Sequence, residues 1–466
     1  MLLFLQIERK VQICMKKSLA ICFSVLMLVA TSCLDGVEEV TLSPYAVLKS
    51  FSIGDITSEY PAFTSEGLDT TETKTVLGSS YVFSINQQTG EVFNADSLPY
   101  GTEVDSIMID MQLSGYAQIY VDSTDSFEGF LTDEFIDFTT PRKFRITSTD
   151  SEYHRDYTVS VNVHQVEPEM MMWSDEYLSD DALVPLRALE FDGKMCLFGK
   201  KDEGFVLATT GMQGAPSWQC EAITGLPETA DLATAHSFSG ALYVIAGDGL
   251  YTSLNGKEWT LCYGGSGLVA IVGVSDDEGV MWVAADNGLL TTVDGVAFES
   301  AGEVPAGFPL YGVSTASCAM KHNKNIVRYV VVGYPDKDKS GKTTVWSKLS
   351  TETAWVKYEN ENNVYSCPSL EGLTVFGYDG FLYAVGGAGV AQGKDVEAFE
   401  SFYISRDNGI TWKAPKGFYQ RIPSSLKGCD EPFVVAVGSD NVVWIICAGE
   451  QLAVRKGMIN RLGFKK

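Results

Sequence analysis

From residue 45 onward, apolar and polar residues alternate with a period of two, in short runs broken by glycine, proline, asparagine and aspartate. Tyr45–Ile53, Tyr81–Ile85, Ser106–Met111, Lys143–Thr147 and Asp156–Val163 are such runs. No stretch there carries the 3.6-residue period of an amphipathic helix, so the pattern predicts strands throughout. Further on, one phrase recurs: Gly249-Leu250-Tyr251-Thr252-Ser253-Leu254-Asn255-Gly256-Lys257-Glu258-Trp259. It returns over Gly288–Phe298 and over Phe402–Trp412. Each copy is a run of aromatic and β-branched residues, a tight turn holding Asn-Gly or Asp-Gly, and an aromatic that can anchor the returning strand.

A unit of that size cannot bury its apolar face alone. Copies at intervals of roughly 40 to 57 residues therefore predict blades packed about an axis. Six units align on their inner-strand and turn signals, closing near Trp218, Trp259, Phe298, Trp355, Trp412 and Phe464. The sixth pairs Val442–Ile446 with Asn460–Phe464, and Met170–Asp175 is the expected source of a ring-closing strand. Upstream, about seven short strands over residues 45–165 predict an antiparallel sandwich of immunoglobulin-like type, without the Cys…Trp…Cys core of antibody domains. The predicted fold is all-β: a sandwich over 45–165, a seam near Val166-Glu167-Pro168-Glu169, and a β-propeller of about six blades over 170–466.

The first 33 residues read as an address. Lys16-Lys17, an apolar run from Leu19 to Val29 and the small residues Ala30-Thr31-Ser32 describe a secretory signal too short to span a bilayer, with Met15 as its natural start. Cys33 directly after the small residues resembles a bacterial lipobox, which implies a diacylated N-terminal cysteine. Residues 34–44 then form a short tether. Asp35, Glu38 and Glu39 resemble the surface-export signal of Bacteroidetes-type lipoproteins.

Charge narrows the partners. The chain carries −26, and removing a segment of net +3 leaves −29. Such a body repels phosphate backbones and anionic lipid surfaces, which argues against nucleic acid and leaves the lipid on Cys33 as the membrane contact. Beyond Cys33 the cysteines are Cys196, Cys220, Cys262, Cys318, Cys367, Cys429 and Cys447. Their number is odd and no Cys-x-x-Cys occurs, so they read as buried small hydrophobes rather than a disulfide or zinc framework.

Ser405, Asp407, Gly409, Thr411 and Trp412 match the Asp-box pattern Ser-x-Asp-x-Gly-x-Thr-Trp at every fixed position. Its chemistry is that of a turn: aspartate accepts turn amides, glycine takes positive φ, and tryptophan fills the space beneath. In sialidases Asp boxes lie on the blade periphery, away from catalysis. A sialidase needs three arginines clamping a carboxylate; Gln420-Arg421-Ile422-Pro423 resembles the sialidase Arg-Ile-Pro motif but follows the best Asp box instead of preceding it. The propeller's arginines are Arg187, Arg328, Arg406, Arg421, Arg455 and Arg461, a poor source for such a clamp. His154, His164, His236 and His322 have no metal-ligand spacing. The calcium-loop-like Asp336–Gly341 has Ser347 where a bidentate glutamate belongs. Asp122, Asp125, Glu128, Asp133 and Glu134 read as a solvated loop. No catalytic, metal or cofactor motif emerges, and the ligand-binding residues are not legible.

The lipobox, the 120-residue sandwich and the Asp-box-bearing propeller together resemble a family of uncharacterised gut Bacteroidales lipoproteins with an immunoglobulin-like module and a kelch-like propeller. The resemblance implies a lipid-anchored place at the outer membrane, on its periplasmic or cell-surface side, and no catalytic residue. The function expected is a monomeric, non-catalytic propeller that binds a glycan or an envelope protein through loops at its central opening, with exposed Tyr and Trp stacking on sugars. The alternative is a glycoside hydrolase or lyase using two carboxylates on the propeller face.

Overall fold

The computed structural model describes residues 42–63, 69–130, 134–178, 183–202, 204–213, 217–339, 341–358, 362–415, 419–449 and 452–464. Cys33, the signal segment and most of the tether lie outside the described residues. The chain is all-β, and its main division into compact units falls between Gln165 and Val166.

The first unit is a two-layer sandwich. One sheet joins Val47–Ile53, Ile107–Ser114 and Phe135–Ile136. The other runs in the order Phe83–Ile85, Glu91–Asn94, His154–Ser160, Arg142–Thr147, Tyr116–Val121, Ser126–Gly129. Alternate residues of each face inward, so Phe51, Ile109 and Met111 meet Val92, Phe144, Ile146 and Val159 in one core. The Tyr157 hydroxyl pins the layers, accepting from the Leu48 amide at 3.1 Å and donating to Gln87 Oε1 at 2.8 Å. One departure from the expected antiparallel pattern is the parallel pairing of Glu91–Asn94 with His154–Ser160. Parallel neighbours need a long crossover, and the chain between these strands supplies one by building strands in both sheets.

In the second unit, the inner strands are Val184–Phe191, Asp231–Phe238, Leu268–Ser275, Tyr311–Met320, Thr374–Tyr378 and Phe433–Val437. Each packs against the next and the last against the first, which closes a ring of six blades. Blades 1 to 4 are antiparallel four-stranded sheets in sequence order. The second strands are covered on both faces, and Ala241–Ala246 and Val443–Cys447 are accordingly buried along their whole length. Blade 5 has three strands, Thr374–Tyr378, Phe381–Val385 and Tyr403–Ser405, with its fourth reduced to a bridge between Ile404 and Lys413. A small extra sheet of Ser369–Leu370, Gly389–Ala391 and Lys394–Val396 accompanies it.

Blade 6 closes the ring with strands from both ends of the unit. Met171–Leu178 pairs along Leu452–Ile459, which lies beyond Val443–Cys447 and Phe433–Val437. The closing strand is therefore where the Met170–Asp175 pattern puts it. The C-terminal partner differs: Val443–Cys447 pairs with Leu452–Ile459, whereas Asn460–Gly463 is a 3-10 turn. Stretches so short and close in pattern are separated only by register, which the hairpin turn decides.

The aromatics seen in the repeats turn out to link blades. Trp218 of blade 1 packs edge-on against Trp444 of blade 6, and Trp259 of blade 2 against Phe198 of blade 1. Phe298 of blade 3 meets Tyr263 of blade 2 at 4.5 Å, and Trp355 of blade 4 meets Trp282 of blade 3. Trp412 of blade 5 is buried with Val330, Val332 and Val345 of blade 4. Trp173 of blade 6 stacks on Phe402 of blade 5. Each blade thus sends one ring onto its predecessor, all the way round. Among the described residues the seven cysteines form no disulfide. Cys196, Cys318, Cys367 and Cys447 are buried, but Cys220 is exposed, because it lies on the outermost strand of blade 1.

Candidate functional site

Three turns carry the recurrent phrase, each between the third and fourth strand positions of its blade. In blade 5, the Ser405 hydroxyl donates to Asp407 Oδ1 at 2.9 Å and accepts from the Gly409 amide at 2.7 Å. Asp407 accepts from the Thr411 amide at 2.8 Å and hydroxyl at 2.6 Å, and Trp412 Nε1 donates to the Gly409 carbonyl at 3.0 Å. Burial alone would raise the Asp407 carboxyl, but the Thr411 and Ser405 hydrogen bonds outweigh it and hold the group below the ordinary carboxylate range. Blade 2 repeats the arrangement: Gly256 N donates to Ser253 Oγ at 2.8 Å, Asn255 Oδ1 accepts two amides at 2.9 Å, and Trp259 Nε1 donates to Gly256 O at 2.9 Å. Blade 3 does so with Thr292, Asp294 and Gly295, and Phe298 replaces the tryptophan. Gly295 has φ of 73°, and a Cβ there would lie 2.3 Å from Tyr243 Cε1 of blade 2. These turns seat one blade on the next. The side-chain hydrogen bonds of Ser405, Asp407 and Trp412 all stay inside the turn.

The inner strands bound an axial cavity of about 360 Å³, lined by Arg187–Glu190, Val272–Val274, Ser314–Ser317, Thr374–Gly377 and Val435–Val437, with Tyr329 behind them. Much of its polar surface is engaged between blades. Ser314 Oγ accepts from the Val375 amide at 2.7 Å, and the Tyr329 hydroxyl meets Ser275 Oγ and Glu278 Oε1 at 2.7 Å each. Burial pushes the Tyr329 phenol up to about 12. Glu190 is the single carboxylate of the lining, and its two oxygens accept from the Ser439 amide at 2.6 Å and hydroxyl at 2.9 Å.

Beside this wall stands His236, on the inner strand of blade 2. Its Nδ1 lies 2.9 Å from the Thr234 carbonyl, which only accepts, so Nδ1 carries the hydrogen. Nε2 is then left to accept from Thr315 Oγ1 at 3.3 Å. Burial and the nearby Arg187 charge, opposed by the Thr234 bond, hold the imidazole down at about 3, so it is neutral at physiological pH. Arg187 Nε donates to the Ala235 carbonyl at 3.2 Å.

A second cavity, of about 590 Å³, opens at the outer edge of blade 5 where the fourth strand is missing. Arg406, Lys413, Tyr365, Gln392 and Gln420 line it. Its cations already have partners: Arg406 lies 4.4 Å over the Phe381 ring and Lys413 4.6 Å over Tyr365, while Glu169 receives Arg461 at 2.5 Å.

Of the residues singled out from sequence, the Asp-box set comes together in the turn after the third strand of blade 5, outside the lining of the axial cavity. The six arginines do not converge. Arg328 donates to Ser347 and Tyr358 at 2.9 Å, Arg455 pairs with Asp175, Arg461 binds Glu169 and Asp379, and Arg421 gives its carbonyl to Trp173. Asp336–Lys339 is a turn in a hairpin, and Ser347 is buried in blade 4. Among the acidic loop residues, Asp125 receives the Tyr120 hydroxyl, Glu128 that of Thr124, and Asp122 lies 3.6 Å from Arg142. Asp133 is outside the described residues. His154 and His322 are exposed. Among the described residues no group of three or more His, Cys, Asp or Glu could hold a metal ion, and no helix is long and apolar enough to cross a membrane. The expected tryptophan platforms are absent from the surface. All eight tryptophans are buried or half-buried, because they link blades.

Arg187 and His236 stood in the sequence only as members of scattered sets of arginines and histidines, and their proximity was not legible there. The available signal was a cation in Val184–Phe191 and an imidazole in Asp231–Phe238, inner strands whose neighbours are otherwise mainly small or apolar.

Comparison with known proteins places the chain. The DUF6242 beta propeller domain matches residues 167–466, and the N-terminal domain of the same family, a domain of unknown function, matches residues 51–161. No curated protein matches. Solved structures with a similar fold include a gluconolactonase from Xanthomonas campestris at 11% identity, covering 61% of this chain and 89% of its own, with a TM-score of 0.39. A Penicillium chrysogenum α-L-arabinanase complexed with arabinobiose is 11% identical, covers 62% of this chain and 97% of its own, and has a TM-score of 0.37. A Fusarium graminearum α-L-arabinofuranosidase of family GH93, also with arabinobiose, is 12% identical over 61% and 97%, with a TM-score of 0.38. At that distance neither activity nor ligand passes from them to this chain.

Proposed function

Because the chain belongs to the DUF6242 family and carries both of its domains, we propose that it is an envelope-anchored binding protein whose propeller holds a hydroxyl-rich glycan at the axial cavity without cleaving it. Lipid on Cys33 anchors it at the outer membrane, and the sandwich acts as a spacer. The observation carrying the non-catalytic part is the state of the axial carboxylate. Glycosidic cleavage takes two carboxyl groups, roughly 5 to 10 Å apart. Here Glu190 is alone in the lining, with both oxygens held by Ser439. The wall instead offers hydroxyls and strand-edge backbone, the groups that hydrogen-bond a sugar.

The test uses protein lacking residues 1–33 on a glycan array, followed by calorimetric titration of the hits. The reading expects binding that is lost when Ser317→Trp fills the cavity, and no new reducing ends after prolonged incubation. Release of reducing ends, or binding untouched by Ser317→Trp, would remove it. Anchoring is checked separately: radiolabelled palmitate should enter the membrane-bound protein and be lost with Cys33→Ser, and a membrane-bound, unlabelled wild type would sink that part.

A further inference from the structure

We propose that the axial cavity is a carboxylate site, with Arg187 as its anion-binding residue, so that the unit held there is an acid-bearing sugar such as a uronate. This deepens the glycan-binding reading and rests on it. A guanidinium stays charged at any physiological pH, and a charge withdrawn from bulk water ordinarily has an opposite partner. Of the other arginines of this ring, Arg406 and Arg421 are exposed to solvent. The remaining three obey that rule or bond to hydroxyls: Arg455 with Asp175 at 2.9 Å, Arg461 with Glu169 and Asp379, Arg328 with Ser347 and Tyr358. Arg187 does not. Among the described residues it has one hydrogen bond, from Nε to the Ala235 carbonyl, and no ion pair.

The surroundings leave that charge for a ligand. Glu190, three residues along the same strand, is the only carboxylate among the lining residues, and Ser439 holds it. His236 adds no charge, because the Thr234 carbonyl fixes its hydrogen on Nδ1 and its Nε2 faces the Thr315 hydroxyl. One fork of nitrogens, with the hydroxyls of Thr315 and Ser317 on the same lining, matches a carboxylate attached to a ring bearing hydroxyls. The volume of about 360 Å³ lies at the small end of the roughly 300–1,000 Å³ usual for small-molecule sites. The net charge of −26 sets the valence: a polyanion meets repulsion from the whole surface, whereas a single carboxylate meets Arg187 first.

Protein lacking residues 1–33 is titrated at pH 7 with glucuronate and galacturonate, with glucose and galactose, and with acetate. The expected result is uronate binding at least about tenfold tighter than the matching neutral sugar. Arg187→Met should abolish that preference while keeping the thermal midpoint at or above wild type, since it deletes an unpaired charge. Arg187→Lys should retain part of it. Acetate binding as tightly as any uronate would support the carboxylate site while removing the glycan as its source. Equal binding of neutral and acidic sugars, unchanged in Arg187→Met, would overturn the carboxylate site and leave glycan binding standing. No binding by any of the five compounds overturns it too. Arms with the wild type alone decide the matter should Arg187→Met misfold.

Discussion

His236 shows how one residue ties the ring's architecture to its solution behaviour. Its imidazole is wedged between the inner strands of blades 2 and 4, with Thr234 on one nitrogen and Thr315 on the other. Burial first, then the Arg187 charge, hold it down at about 3, against an ordinary value of 6.5. The folded state therefore refuses a proton that the unfolded chain accepts below about 6.5. Stability from this group is fully present above that pH and drains away as pH falls toward 3, at up to about 1.4 kcal/mol per pH unit. Thermal midpoints measured from pH 7 down to pH 4 should fall more steeply in wild type than in His236→Gln. Parallel curves would mean that the imidazole is already accessible to protons in the folded ring. Arg187→Met should flatten the wild-type curve in part, since it removes the second cause and leaves the first.

At the scale of the strand, legibility depended on whether a signal was local. The Asp-Gly and Asn-Gly turns and their trailing aromatics are local, and they mark blades 2, 3 and 5 correctly at Trp259, Phe298 and Trp412. The role of those aromatics was not legible, because the side chains each one touches belong to the neighbouring blade, from 35 residues away for Phe298 and Tyr263 to 82 for Trp412 and Val330. The axial pair failed for the same reason: Arg187 and His236 lie in separate blades, and only the packing of blade 2 on blade 1 makes them neighbours. The small sheet of Ser369–Leu370, Gly389–Ala391 and Lys394–Val396 was missed because runs of two or three residues carry no measurable period. Met171–Leu178 is the element on which closure hangs. It pairs along Leu452–Ile459, and its Trp173 Nε1 also donates to the Arg421 carbonyl at 2.6 Å. Protein beginning at residue 183 should expose Leu452–Ile459 as an unpaired edge, lose several kcal/mol in urea unfolding and self-associate with rising concentration. A synthetic peptide spanning 168–178 should reverse both effects. Unchanged stability in the shortened chain would show that closure is carried by the inner strands alone.

Ring closure changes what kind of object the second unit is. An open stack of repeats unfolds by parts, since each repeat has only neighbours and a free end. Here every blade has two neighbours and sends one aromatic onto its predecessor, so the loss of any blade breaks two interfaces and opens the ring. All eight tryptophans lie from Trp173 to Trp444, so fluorescence excited selectively at tryptophan reports on this unit and no other. Trp412 is fully buried against blade 4, and replacing it with alanine should cost about 3–5 kcal/mol. If the ring is one cooperative unit, the whole fluorescence transition in guanidinium shifts to lower denaturant with its steepness kept. Trp259, between blades 1 and 2, and Trp218, between blades 6 and 1, then report the same midpoint as the rest. Variants in which the other tryptophans become phenylalanine, leaving only Trp259 or only Trp218, resolve this, each measured with phenylalanine and with alanine at position 412. An early phase confined to blades 4 and 5, with the Trp259 signal still at its wild-type midpoint, would make the propeller a chain of separately stable blades that happens to meet end to end.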